Sequence, residues 1–182
     1  MLADSVVRPA HFSLFYERHL ATVAIFLARR VGSELAEDLT AEVFARAFRS
    51  RATFRPDHGT GLPWLLGIAN HLVADHRRAE RRRLALLQRL QVNEAHFDPD
   101  PVSRAEPELV RQLRRLPAPE RDTLLLVVWG ELSYAEAASA LGVPVGTVRS
   151  RIARARQRLT AAIGADSSAL HPHAADPGDA NA

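Results

Sequence analysis

The stretch "ELSYAEAASALGVPVGTVRSRIARARQRL" (131–159) decides the fold of the C-terminal half of this chain. Ser133 followed three residues later by Glu136 is a capping box, which predicts that a helix begins there. Gly142 predicts the end of that helix, because glycine tolerates the left-handed conformation of a closing residue. Pro144 suits the start of a second helix. Two helices joined by a short glycine-containing turn form a helix-turn-helix.

The second helix, expected to run from Pro144 to about Ile163, has three distinct faces when it is wound at about 100° per residue. Val148, Ile152, Ala155 and Leu159 form an apolar stripe. Ser150, Ala153 and Gln157 form a small polar face on the opposite side. Arginines occupy both shoulders, with Arg149 and Arg156 on one and Arg151, Arg154 and Arg158 on the other.

This helix carries basic residues without acidic ones over most of its length, since no Asp or Glu occurs between Glu136 and Asp166. A solvated helix normally mixes the two signs at i+4 spacing. Short side chains on the crest and arginines on the shoulders fit a major groove, where they meet base edges and phosphates respectively. A merely soluble basic helix is the alternative. The candidate DNA-contacting residues are Thr147, Arg149, Ser150, Arg151, Ala153, Arg154, Arg156 and Arg158.

Charge is unevenly distributed along the 182 residues, although the net charge is only +3. Residues 1–92 carry +5, residues 93–108 carry −4, residues 109–163 carry +5 and residues 164–182 carry −3. Two basic segments on one chain suggest a polyanion bound at two places.

The composition excludes several classes of protein. The chain has no cysteine, so disulfides and cysteine-ligated zinc are excluded. It has no 18-residue apolar run and no signal-peptide pattern at its N-terminus, so we expect a cytoplasmic protein that does not insert into a membrane.

The fold expected from these patterns is all-α, with two small helical domains joined by a flexible linker and the second ending in the helix-turn-helix. Residues 93–108 are rich in proline and acids and predict the linker. The expected division is therefore a first domain over 1–92, a linker over 93–108, a second domain over 109–163 and a disordered acidic tail over 164–182.

The N-terminal segment contains two informative stretches. "SELAEDLTAEVFARAFRS" (33–50) predicts a capped amphipathic helix whose Glu34, Asp38 and Glu42 form an acidic row. "TFRPDHGTGLPWLLGIANHLVADHRRAERRR" (53–83) predicts a Gly/Pro loop, an apolar helix opening at Trp64 and a strongly basic end.

These motifs, in this order, resemble the bacterial RNA polymerase sigma factors of the extracytoplasmic-function (ECF) group from Phe12 to Leu159. "AEDLTAEVFARAF" resembles the segment that binds the polymerase clamp, "WLLGIANHLVADHRR" the helix that melts and reads the −10 element, and residues 131–159 the −35-binding helix-turn-helix. The resemblance implies a two-domain helical protein without enzymatic activity or cofactor. It implies core RNA polymerase and promoter DNA as partners, and an anti-sigma factor as a further partner.

The resemblance also implies roles for individual residues. The polymerase-binding candidates are Glu37, Asp38, Leu39, Glu42 and Val43. The −10 candidates are Phe54, Trp64, Asn70, His71, Arg77 and Arg78, although Trp64 and Phe54 have an alternative role in the core. Gly67 departs from the family pattern, which more often has a longer polar residue at this place in the melting helix.

Three other interpretations remain open. His71, Asp75 and His76 could be drawn as a metal site, but no further ligand is evident, so we expect no metal. A free-standing transcription regulator would use the helix-turn-helix alone and bind its operator as a dimer without polymerase. A small helical enzyme would need a nucleophile or metal spacing that the sequence does not show.

Overall fold

The computed structural model describes residues 11–54, 61–90 and 108–169, which form seven α-helices and one 3₁₀ turn. No strand occurs in those ranges, so the all-α prediction is confirmed. The helices are α1 (His11–Val31), α2 (Ser33–Ser50), α3 (Gly61–Leu90), α4 (Glu108–Arg115), α5 (Ala118–Val128), α6 (Tyr134–Leu141) and α7 (Val145–Ala169), with the 3₁₀ turn at Arg51–Thr53.

Helices α1, α2 and α3 form the N-terminal unit, in which α1 and α3 pack on α2 around a core that includes the fully buried Phe26, Val43 and Leu65. The predicted helix over 33–50 is present with those bounds. Its predicted cap is wrong, because the helix follows Gly32, at φ 85°, and no side chain caps it. A left-handed glycine reverses the chain tightly enough to stack α2 against α1.

Helix α3 begins at Gly61, three positions before the predicted start at Trp64. Pro63 is accommodated because it lies in the first turn, where a backbone N–H has no intrahelical partner to lose. The helix continues to Leu90 and carries the basic run near its end.

Helices α4 to α7 form the C-terminal unit, and the helix-turn-helix predicted from the sequence is present as α6 and α7. The Ser133 hydroxyl accepts a hydrogen bond from the Glu136 backbone N–H at 3.2 Å, and the Ser133 N–H donates to Glu136 Oε2 at 2.9 Å. Gly142 closes α6 in the left-handed conformation, with φ 63° and ψ 37°. Both parts of the capping prediction are therefore confirmed.

Helix α7 begins at Val145, directly after Pro144, and runs to Ala169 instead of ending near Ile163. The helix therefore includes residues 164–169 of the segment predicted as the tail. Residues 164–169 contain no proline, Gly164 weakens the helix without ending it, and the first proline of the tail is Pro172. Residues 170–182, and positions 91–107 of the predicted linker region, lie outside the described residues.

The two units pack against each other, which the sequence did not predict. Helix α3 of the N-terminal unit lies on α6 of the C-terminal unit, and the buried apolar residues of both form one continuous cluster. The described residues thus place the helix-turn-helix directly beside the helix that carries the −10 candidates.

Replacing Ser133 by Ala tests the capping box. The variant should lose about 1 kcal/mol of unfolding free energy, because the orphan N–H of Glu136 loses its acceptor. Urea denaturation followed by circular dichroism measures this loss. Ser139→Ala, at an exposed position within α6, is the matched control and should be neutral or slightly stabilising. Equal stability of the two variants would contradict the role assigned to the box.

Candidate nucleic-acid interface

Helix α7 is anchored by the apolar stripe predicted from its periodicity. Val148, Ile152 and Ala155 are at most 2% exposed, and Leu159 packs at the edge of the same cluster. Helices α5 and α6 lie against this stripe. The opposite face of α7 is consequently turned to solvent.

The solvent face of α7 presents most of the candidate DNA-contacting residues. Arg149 and Ser150 are exposed in its first turns, and Thr147 and Arg151 are half-buried. The remaining candidates, Ala153, Arg154, Arg156 and Arg158, are exposed as well. The face carries no carboxylate, so it has the charge and the small crest that a major groove accepts.

Two arginines of α7 already have a partner within the C-terminal unit. Arg154 Nε donates to Glu120 Oε1 at 3.2 Å. Arg158 Nε lies 3.1 Å from Glu120 Oε2, close enough for an ion pair although its direction does not make a hydrogen bond. Glu120, in the first turn of α5, is only 6% exposed. These two arginines therefore neutralise a buried carboxylate. Arg149 and Arg156, on the other shoulder, do not contact Glu120 and are more available to an external partner.

Helix α2 carries the acidic row along its exposed side. Glu37 and Asp38 are exposed. Glu42 accepts from Arg46 Nε at 2.8 Å and from Arg49 Nη2 at 3.1 Å, and the hydrogen bond from Arg46 lowers the pKa of Glu42. The carboxylates nearer the start of α2 therefore give it a negative surface, and Glu42 is offset by its own helix.

Two of the polymerase-binding candidates are core residues. Val43 is fully buried and Leu39 is 9% exposed, on the face of α2 that packs into the N-terminal unit. Direct contact of these two side chains with polymerase stays a prediction. In this arrangement they face inward and fix the orientation of the acidic face.

The aromatic candidates for the −10 element lie together at the start of α3. The rings of Phe54 and Trp64 have centroids 5.4 Å apart, and both residues are partly buried. His71 is exposed, and its Nδ1 lies 2.9 Å from the Gly67 carbonyl oxygen. Arg78 is exposed and paired with Asp75. A partly buried aromatic pair beside an exposed polar and basic helix face suits bases stacked outside a duplex.

Asn70, by contrast, is buried and points into the boundary between the two units. Its Oδ1 accepts from Arg30 Nη1 at 2.7 Å, and Arg30 Nη2 donates to Asp122 Oδ1 at 2.5 Å. In this arrangement Asn70 is only 7% exposed and not accessible to DNA, so its role in −10 recognition stays a prediction. Its amide is occupied by a residue of α1.

The guanidinium of Arg30 has no side-chain exposure. Burial lowers the pKa of Arg30 to about 10, with the Asp122 carboxylate opposing the change, so Arg30 remains protonated at neutral pH. Arg77 lies 3.9 Å from the same Asp122 oxygen, and burial followed by repulsion from Arg121 lowers the pKa of Arg77. Asp122 therefore holds arginines from α1 and α3 at one point.

Arg30, Asp122 and Glu120 were not among the residues predicted from the sequence to be functional. Each lies beside another charged residue near a helix end, where an interaction with the helix dipole is the ordinary explanation. The sequence signal for a buried charge would have been a charged residue at a position that helical periodicity places on an apolar face. Finding its partner requires the tertiary arrangement.

No metal site emerges from the described ranges, which contain no group of three or more His, Asp, Glu or Cys side chains suited to hold an ion. His71, Asp75 and His76 do not form one. No described helix has the length and apolarity needed to cross a membrane.

Comparisons with known proteins agree with the order of these surfaces. The chain matches the families described as "Sigma-70 region 2" over residues 15–83 and "Sigma-70, region 4" over residues 107–159. It is 42% identical over 134 residues to the ECF RNA polymerase sigma factor SigC of Mycobacterium tuberculosis, covering 72% of this chain and 70% of the relative.

More distant proteins match over a larger share of the chain. The ECF RNA polymerase sigma-E factor of Escherichia coli is 32% identical over 161 residues, which is 81% of this chain and 84% of the relative. The structure of the sigma factor RpoE in complex with the anti-sigma factor NepR from Bartonella quintana has a similar fold, with a TM-score of 0.63 and 23% identity. That likeness covers 86% of this chain and 98% of the other.

Because Arg154 and Arg158 pair with Glu120 and Arg156 does not, we expect their replacement to affect stability differently. Replacing both Arg154 and Arg158 by Ala should cost about 1 to 3 kcal/mol of unfolding free energy, because a buried carboxylate loses its partners. Arg156→Ala, on the exposed shoulder, should change stability by less than about 0.5 kcal/mol. Urea denaturation without DNA measures both. Equal effects of the single and double variants would show that Glu120 does not depend on these arginines.

Proposed function

The chain belongs to the ECF group of RNA polymerase sigma factors, and we propose that its surfaces divide that activity among α2, α3 and α7. It binds core RNA polymerase and directs promoter recognition and transcription initiation. The main support for this division is the charge of two exposed faces. The face of α7, on one unit, presents arginines without acids, and the face of α2, on the other unit, is acidic.

We assign polymerase binding to the acidic face of α2. Glu37 and Asp38 are exposed there, whereas Leu39 and Val43 hold the helix on its core. Glu42 lies on the same side, but its charge is offset by Arg46 and Arg49. Asp38 is therefore a better test of this surface than Glu42, since its reversal breaks no ion pair among the described residues.

We assign −35 recognition to the first turns of α7. Arg149 and Ser150 are exposed where the recognition helix of a helix-turn-helix comes closest to base edges. Arg156 lies two turns further along the same shoulder, where phosphate is the expected contact. Arg154 and Arg158 reach DNA only if they leave Glu120, so their contribution to binding is secondary.

We assign −10 recognition to Phe54, Trp64 and the exposed side of α3. His71 and Arg78 are accessible as the helix stands, and Arg77 is half-buried against Asp122. Stacking of an unpaired base on an aromatic ring is worth about 1 to 3 kcal/mol, which makes Trp64 the strongest candidate for holding an opened strand.

Further elements of the proposal follow from family membership. The chain acts in the cytoplasm, has no enzymatic activity or cofactor of its own and has an anti-sigma factor as a partner, as the solved relative from Bartonella quintana does. The division into a first domain, an acidic linker over 93–108, a second domain and a tail stays a prediction.

Dependence on core polymerase separates this function from that of a free-standing regulator. A gel-shift assay should show specific binding of promoter DNA only when core enzyme is added. Asp38→Arg should abolish the shifted complex, because it reverses charge on the polymerase-binding face, with helix content unchanged. Glu17→Arg, an equivalent reversal at an exposed position of α1, is the control and should behave like the parent. Strong specific binding without core enzyme would identify a regulator instead.

A residue of α7 that reads bases and one that contacts phosphate should weaken DNA binding in different ways when they are replaced. Arg149→Ala should cost about 1 to 3 kcal/mol on the preferred −35 sequence and relax the choice of base there. Arg156→Ala should weaken all sequences alike and reduce the slope of log K against log salt by about one. A −35 base-substitution series at several salt concentrations, with holoenzyme, measures both. If Arg156→Ala alters base preference and Arg149→Ala does not, the helix enters the groove in the opposite direction.

A further inference from the structure

A strongly basic cleft lies where the end of α1, the middle of α3 and the turn from α4 to α5 meet. Its volume is about 570 Å³, which falls within the range of about 300 to 1,000 Å³ that small-molecule sites occupy. Five of the residues that line it are arginines, and we call it the arginine cleft: Arg30, Arg77, Arg81, Arg114 and Arg121.

A single carboxylate, that of Asp122, serves the three most sheltered of these arginines. Its Oδ1 lies 2.5 Å from Arg30 Nη2, 3.8 Å from Arg121 Nε and 3.9 Å from Arg77 Nη1. One negative charge does not neutralise three positive ones, so a net positive charge remains. The three side chains are 0%, 15% and 31% exposed, respectively, so solvent ions screen this charge weakly.

The sheltered arginines also have hydrogen-bond donors that the protein does not use. The Nε atoms of Arg30 and Arg121 are buried and have no hydrogen-bond partner among the described residues. Buried donors are nearly always paired, so unpaired ones require an explanation. Burial and then the charge of Arg121 lower the pKa of Arg77, with Asp122 opposing the change. The protein thus gathers positive charge here without the anion that would complete it.

The exposed side of the cleft is also basic. Arg81 has no carboxylate partner within the described part of the chain, and its Nε donates to the Arg77 carbonyl oxygen at 3.2 Å. Both Nη groups of Arg81 are therefore available to a ligand. Glu80 is the only acidic residue among the described residues that line the cleft, and it lies 3.6 Å from Arg83.

Apolar side chains form another part of the cleft wall. Val31, Leu35, Leu84 and Leu116 line it, and Leu84 is 49% exposed. A ligand made only of phosphate would leave these side chains in contact with water, whereas a planar ring system would cover them. The cleft therefore presents one surface for an anion and another for an uncharged ring.

We propose that the arginine cleft binds a nucleotide with two or more phosphates, the phosphates on the arginines and the base against the apolar wall. Guanidinium groups suit this ligand because their planar N–H pairs match phosphate oxygens. A DNA duplex is convex and contacts exposed side chains, so it does not reach a sheltered guanidinium such as that of Arg121. A terminal phosphate is small enough to enter.

Titration calorimetry of the full chain with ADP, without Mg²⁺, tests the site. The parent should show saturable binding. Arg81→Gln should weaken binding about tenfold, because a charge-assisted hydrogen bond to phosphate is lost. Arg82→Gln is the matched control, since it removes the same charge from an exposed position of α3 that does not line the cleft. It should bind ADP as the parent does. Absence of saturable binding, or equal weakening by both variants, would overturn the proposal.

A variant of opposite sign provides a second test. Glu80→Gln should bind ADP more tightly than the parent, because it removes the carboxylate that lines the cleft. Weaker binding by a folded Glu80→Gln would contradict the proposal. If circular dichroism shows that Arg81→Gln loses helix, the comparison of Glu80→Gln with the parent decides. Arg77 is left unaltered, because it is also a −10 candidate.

Two further ligands identify the source of the phosphate. Inorganic pyrophosphate should bind more weakly than ADP, because it leaves the apolar wall uncovered, and equal affinity would overturn the assignment of a nucleoside. A single-stranded DNA oligonucleotide should not displace ADP. Displacement that Arg81→Gln weakens would make the cleft part of a DNA surface and overturn the nucleotide. These measurements need neither polymerase nor promoter, so their failure leaves the proposed function standing.

Discussion

The buried guanidinium of Arg30 is the interaction on which the rest of the arrangement depends. It comes from α1, binds Asn70 of α3 and pairs with Asp122 of α5, so one side chain connects three helices and both units. A charge with no exposed surface requires such partners, because the cost of removing it from water is otherwise several kcal/mol. The position of the C-terminal unit, the burial of Asn70 and the crossing of α3 by α6 are all tied to this contact.

Four arginines of α7 fall into two groups, whose positions on opposite shoulders follow from helical periodicity but whose roles depend on the tertiary arrangement. Arg149 and Arg156 are exposed and available to a polyanion, whereas Arg154 and Arg158 flank the buried Glu120. The first group suits an interface with DNA, and the second supports the helix that presents it. A sigma factor needs both, since a recognition helix discriminates bases only when it is held rigidly.

Local features of the fold were predictable where a few neighbouring residues decide the conformation. The capping box at Ser133, the left-handed Gly142 and the apolar stripe of α7 are all confirmed. The cap of α2 and the end of α7 were predicted wrongly, because a left-handed Gly32 and an alanine-containing extension compete with the usual signals. The burial of Asn70 could not be read from the sequence, since it depends on which surface packs over a helix. Gly67 stood out in the sequence only as a departure, and its close approach to Ala140 is a tertiary fact.

The central claim is that the buried contact between Arg30 and Asp122 holds the three helices and both units in this arrangement. The unfolding free energy of Asp122→Ala, measured by urea denaturation beside the parent protein, tests it most directly. The account predicts a loss of about 3 to 5 kcal/mol, because the buried guanidinium keeps its charge and loses its carboxylate. An unfolding free energy equal to that of the parent would contradict it.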